Sequence, residues 1–114
     1  MPILYGPVQQ VKNVVERYNA MQRLLSSKGL AVKILYLSQS GAWSLRLTNG
    51  TVLFLGKDFL MERLNRFLRF YDKFIANNDS NDSEEDKNRF ARRVDLRYRH
   101  GMAVSWAIEQ EKES

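Results

Sequence analysis

The chain has 114 residues, enough to bury one hydrophobic core and too few for two domains. Hydrophobic residues make up 44% of it and charged residues 27%, a globular balance that excludes wholesale disorder. Without cysteine there are no disulfides and no thiolate chemistry, one histidine leaves little from which to build a zinc site, and a formal charge of +5 invites nucleic acid or an acidic partner without choosing between them.

In chain order, Pro7 suits the first turn of a helix, and Val11, Val14, Val15, Tyr18, Met21, Leu24 and Leu25 follow the helical period up to Gly29. The spacing predicts a helix over 7–28. Three β-prone stretches come next, at 30–38, 42–48 and 51–55. Asn49-Gly50 between the last two is a strong signal for a two-residue hairpin turn. That turn would set Leu47 opposite Val52 and Leu45 opposite Phe54, with Trp43 on the same core-facing side. Gly56-Lys57-Asp58 breaks the strand and opens a second helix, whose apolar stripe is Leu60, Leu64, Phe67, Leu68, Tyr71 and Phe74, with Arg63, Arg66, Arg69 and Lys73 on its polar side. Residues 77–89, rich in Asp and Glu, read as an acidic loop. No apolar run approaches the roughly 20 residues of a membrane-spanning helix, and no signal pattern follows Met1, so the chain taken alone is expected to be soluble.

The last unit, within 90–107, is a hairpin whose turn length can be tested against its hydrophobic alternation. A two-residue turn at Arg99-His100 scatters Met102, Val104 and Trp106 onto the charged face. A three-residue turn, Arg99-His100-Gly101 with Gly101 left-handed, pairs Tyr98 with Met102, Leu96 with Val104 and Val94 with Trp106. All six then face the core, while Asp95, Arg97, Ala103, Ser105 and Ala107 face away. The expected domain is therefore residues 1–108, followed by a charged, frayed tail at 109–114. Its expected fold class is α+β, with two helices on one face of a mainly antiparallel sheet of about five strands, in the order α-β-β-β-α-β-β.

Little in the sequence suggests catalysis. His100 sits in a turn with no paired nucleophile, the acidic loop lacks the ligand spacing of a calcium site, and each glycine is isolated at an element boundary. Trp43 and Trp106 read first as core. The helix-two arginines are interleaved with Asp58, Glu62 and Asp72, as on an ordinary solvated face. Denser positive charge gathers at Lys87, Arg89, Arg92, Arg93, Arg97 and Arg99, leading into the final hairpin. A last strand with one open side is a template for strand addition, and basic neighbours would select an acidic partner.

Several separated stretches then carry a family resemblance. These are Leu4-Tyr5-Gly6-Pro7, Ala42-Trp43-Ser44-Leu45 with Leu47 and Asn49-Gly50, Leu55-Gly56-Lys57, Arg63-Leu64-Asn65-Arg66-Phe67, and Val94-Asp95-Leu96-Arg97-Tyr98 followed by Gly101, Ala103-Val104 and Trp106-Ala107. In this order they resemble the C-terminal periplasmic β domain of the FtsQ family of bacterial cell division proteins. The resemblance implies a non-catalytic divisome scaffold in which one inner-membrane helix and a POTRA domain precede this domain, with no cofactor. It also implies that FtsB, within an FtsB and FtsL complex, adds a strand along the last strand. On that basis Arg97 would pair with a partner carboxylate and Tyr98 would pack on an apolar partner residue. Gly101 and Trp106 would hold the hairpin shape, and Arg99, His100 and Ser105 would complete the surface. Family members often carry arginine before the Ala/Ser-Trp pair, where this chain has Ser40-Gly41, so Arg92 and Arg93 are candidate replacements for that basic contact. The rival expectation is a basic nucleic-acid-binding domain.

Overall fold

The computed structural model describes residues 2–74 and 89–108. The elements run β1 (Ile3–Tyr5), a 3-10 turn (Val8–Gln10), α1 (Val11–Ser26), β2 (Val32–Leu37), β3 (Trp43–Leu47), β4 (Val52–Gly56), α2 (Leu60–Phe74), β5 (Arg89–Asp95) and β6 (Ala103–Ile108). Most of the expected loop, and the expected tail at 109–114, lie outside the described residues. Arg89, assigned to the loop, instead begins β5.

The strands form one six-stranded sheet in chain order, β1 through β6. Three of the pairings are antiparallel, while β1 with β2 and β4 with β5 are parallel. The α+β class with both helices against the sheet is as expected, but the described residues form six strands rather than about five, the short β1 being the addition. Three residues are too few for alternation to register. The parallel β4 to β5 pair follows from α2, which carries the chain back so that β5 begins at the same end as β4.

Apolar side chains explain why the sheet holds together. Leu4, Leu35, Leu45, Leu53, Val94 and Val104 stand in register, one from each strand, on the helix side. Val14, Met21 and Leu25 of α1, with Leu60, Leu64, Phe67 and Leu68 of α2, are buried with them. Helix α1 closes where Leu30 N–H donates to the Leu25 carbonyl and Gly29 N–H to that of Ser26, and Leu25 and Leu30 are both buried. On the opposite face two rows cross the sheet: Tyr5, Tyr36, Ser44, Phe54, Asp95 and Ala103, and beside them Ile3, Ile34, Arg46, Val52, Arg93 and Ser105.

The central hairpin corrects the expected register by one residue. Leu47 N–H bonds to the Thr51 carbonyl, so the loop has three residues, Thr48, Asn49 and Gly50, with Gly50 at φ 97°. Asn49 Oδ1 accepts from Thr51 N–H at 3.0 Å. Leu45 therefore faces Leu53 rather than Phe54. Leu53 and Leu55 are fully buried, while Val52 and Phe54 lie on the open face. Val52 to Leu55 are all apolar, so either register buries two of them, and the pattern by itself cannot choose.

Candidate functional site

The final hairpin also differs from its expected register, by two residues. Val94 faces Val104, Asp95 faces Ala103 and Arg93 faces Ser105; past a bulge between Ala91 and Arg93, Trp106 faces Ala91. A two-residue shift keeps each side chain on its face, so the core-facing assignment of Val94, Leu96 and Val104 survives while the tight turn does not. The connection from β5 to β6 spans Leu96 to Met102, and Gly101 is not left-handed. A Cβ at Gly101 would meet nothing within 4 Å, so neither a turn conformation nor close packing requires glycine there. The bulge has its own tie, as the buried Thr51 hydroxyl donates to the Ala91 carbonyl at 2.6 Å.

The longer connection begins on core contacts and ends in solvent. Leu96 is buried, and its N–H donates to the Phe54 carbonyl at 2.9 Å. Beyond it Arg97, Tyr98, Arg99 and His100 are exposed, Tyr98 by 53%. Asp95 organises the departure: its carboxylate accepts from Arg97 N–H at 3.0 Å and from the Arg97 guanidinium at 2.8 and 2.6 Å. The Arg97 side-chain hydrogen bond holds the Asp95 carboxyl below the usual carboxylate range, against the opposing effect of burial. The same bond pushes the Arg97 guanidinium up, so it stays charged. Arg97 also lies over the Phe54 ring, 5.4 Å from its centroid, with Arg93 at 5.6 Å. Arg97, expected to pair with a partner carboxylate, is already engaged with Asp95, although not every guanidinium N–H is used.

The structure draws in residues that the sequence reading left out. Phe54, assigned to the core, is the aromatic platform under two arginines. Arg63 and Arg66, assigned to a solvated helix face, are half-buried and bonded to backbone. Arg63 donates to the Leu55 carbonyl at 2.6 Å, and Arg66 donates to the carbonyls of Tyr98, Arg99 and Gly101 at 3.0, 2.9 and 2.9 Å. Phe59, Glu62, Arg63, Arg66, Arg97 and Arg99 line a cavity of about 410 Å³, with four arginines and one glutamate among its walls. The three-residue spacing of Arg63 and Arg66, which puts both on one side of α2, is the sequence signal that would have found them.

Of the remaining candidates, Ser105 is exposed on the open face beside Arg93. Trp106 is not the core residue expected; it is 43% exposed and rests against Phe70 of α2, ring centroids 6.0 Å apart. Trp43 is buried, as expected. Arg92 occupies the bulge and is exposed, as is Arg93. The site therefore gathers Arg93, Arg97, Tyr98, Arg99, His100 and Ser105 at one end of the sheet, around the start of β6. Beyond the ladder with β5, the outer side of β6 faces no other described strand.

The family described as Cell division protein FtsQ/DivIB, C-terminal, matches residues 1–111. Relatives named Cell division protein FtsQ include those of Coxiella burnetii, 35% identical over 93% of this chain and 40% of the relative, and Xanthomonas campestris, 34% identical over 96% and 36%. The Escherichia coli K12 protein of that name is 32% identical over 100% of this chain and 39% of the relative. The chain thus spans about two fifths of the length of these relatives. The resemblance read from the separated motifs holds across almost the whole chain, which belongs to the FtsQ/DivIB family of cell division proteins and corresponds to their C-terminal region.

Proposed function

We propose that this domain is a non-catalytic scaffold module of the bacterial divisome, on the periplasmic side of the inner membrane, that receives an acidic, strand-forming segment of FtsB, within an FtsB and FtsL complex, along the outer edge of β6. The observation that carries this reading is the edge itself. Strand β6 reads Ala-Val-Ser-Trp-Ala-Ile, with no charge and no proline, at the end of the sheet. Proteins ordinarily protect such an edge with lysine, proline or shortening, and β1 at the other end is only three residues long. Among the described residues no strand pairs with the outer side of β6, and a partner strand added there would protect it from edge-to-edge aggregation. Arg93, Arg97 and Arg99 beside it favour carboxylates on that partner. The family relationship supports the cell division context.

The test is amide exchange on adding a peptide from the FtsB C-terminal region. New protection at alternate amides of β6 is the expected result, because the strand's outward N–H groups gain acceptors. Protection elsewhere, or none, removes the strand-addition reading. Arg97→Glu is expected to weaken binding of the same peptide by about tenfold or more in calorimetry, by replacing attraction with repulsion next to Asp95, while the fold persists.

A further inference from the structure

We infer that Arg66 is a positioning residue for the recognition loop: its single guanidinium, anchored on α2, fixes the shape of 98–101 and so prepares the β6 edge for its partner. The inference rests on the proposed function for its consequence in binding, and on hydrogen-bond geometry for the clamp itself.

A two- or three-residue hairpin turn closes on its own backbone hydrogen bonds, whereas this connection is longer and has no such closure. No backbone-to-backbone hydrogen bond joins residues within 97–102. The carbonyls of Tyr98, Arg99 and Gly101 instead converge on Arg66, two on Nη1 and one on Nη2. Its planar fork with five donors can meet three carbonyls from one loop simultaneously; the lysine ammonium, a point charge on a flexible stem, lacks that fixed geometry. The base of the clamp is rigid because Leu64, Phe67 and Leu68, on either side of Arg66 in the helix, are buried. Loop position is thereby referenced to the core rather than to a turn. The Tyr98, Arg99 and His100 side chains, all exposed, are held where a partner meets them instead of being ordered at the moment of binding.

Two variants of the full chain test this, Arg66→Ala and Arg66→Lys, compared at temperatures where each is folded. Backbone order parameters at 98–101 are expected to fall from the rigid range, about 0.85, toward about 0.6 or below in both, with values in β2 to β4 unchanged. The carbonyl carbon shifts of Tyr98, Arg99 and Gly101 should move together. Affinity for the FtsB peptide should fall on the order of tenfold in both variants, the size expected when loop ordering is deferred to the binding step. Methylguanidinium should partly restore it in Arg66→Ala. Wild-type affinity in Arg66→Lys would show that charge suffices and overturn the inference, as would a loop that stays rigid in Arg66→Ala. If wild-type protein does not bind the peptide, the proposed function fails, and the order parameters and carbonyl shifts still decide whether Arg66 holds the loop.

Discussion

Asp95 and Arg97 form the most tightly defined pair in the site, and their chemistry gives a pH signature. Because the Asp95 pKa is lowered in the folded protein, chiefly by the Arg97 side chain, its contribution to stability is fully present above the ordinary carboxylate value near 4 and is lost as pH falls through the lower folded value. Asp95→Asn is therefore expected to melt below wild type at pH 7, with the gap closing below about pH 4. A gap of constant size from pH 7 to pH 3 would contradict this. A second residue-scale prediction concerns Gly56, at φ 78°, where an added Cβ would lie 2.8 Å from Arg63 Nη1 and 3.1 Å from Arg97 Cγ. Gly56→Ala incurs both the left-handed backbone penalty and displacement of Arg63 from the Leu55 carbonyl. The expected cost is about 1–3 kcal/mol, read from the denaturant midpoint.

At the scale of elements, the final hairpin shows two separate controls on one strand. The bulge at Arg92 and the Thr51 tie set where β5 sits on β4, and the long connection sets where β6 sits on β5. Side-chain alternation reported the faces of both strands correctly, since a two-residue shift preserves face, but carried no information on the loop. The open face of β6 lends itself to a charge test. Ser105→Glu faces Arg93 across the ladder, a favourable cross-strand pair, so the unfolding midpoint should stay within about 0.5 kcal/mol of wild type. An acidic partner strand would meet a new like charge, and peptide affinity should drop several-fold at low salt and recover as salt screens the repulsion. Equal affinity at low salt would argue that the partner's carboxylates lie elsewhere.

Across the whole molecule, one apolar row links all six strands to both helices, so damage at its centre should be felt everywhere. Leu45, 2% exposed, sits between Leu35 and Leu53 in that row. Leu45→Ala is expected to cost about 2–5 kcal/mol and to lower a single cooperative transition rather than split it. A variant that melted in two steps would mean that the β5–β6 hairpin folds independently of the rest. The net charge of +5 acts at this scale too, since it would attract acidic molecules over a Debye length of about 8–10 Å, but two of the helix-two arginines are bonded to backbone carbonyls of this chain. Those bonds leave fewer α2 cations for a nucleic-acid backbone than the rival expectation of a basic nucleic-acid-binding domain would draw on.

The sequence by itself determined the α+β class, both helices, the three central strands and the final hairpin, because helical and strand periods are local properties of apolar spacing. It also placed the basic cluster and, through separated motifs, the family. Only the tertiary structure decided that β1 joins the sheet, that Phe54 turns outward beneath two arginines, that Trp106 stays half exposed, and that Arg66 bonds the carbonyls of Tyr98, Arg99 and Gly101. Each of these depends on a register or on a contact between residues far apart in the chain. A run such as Val52 to Leu55, or an arginine on a helix, has the same local pattern whichever way that choice is made.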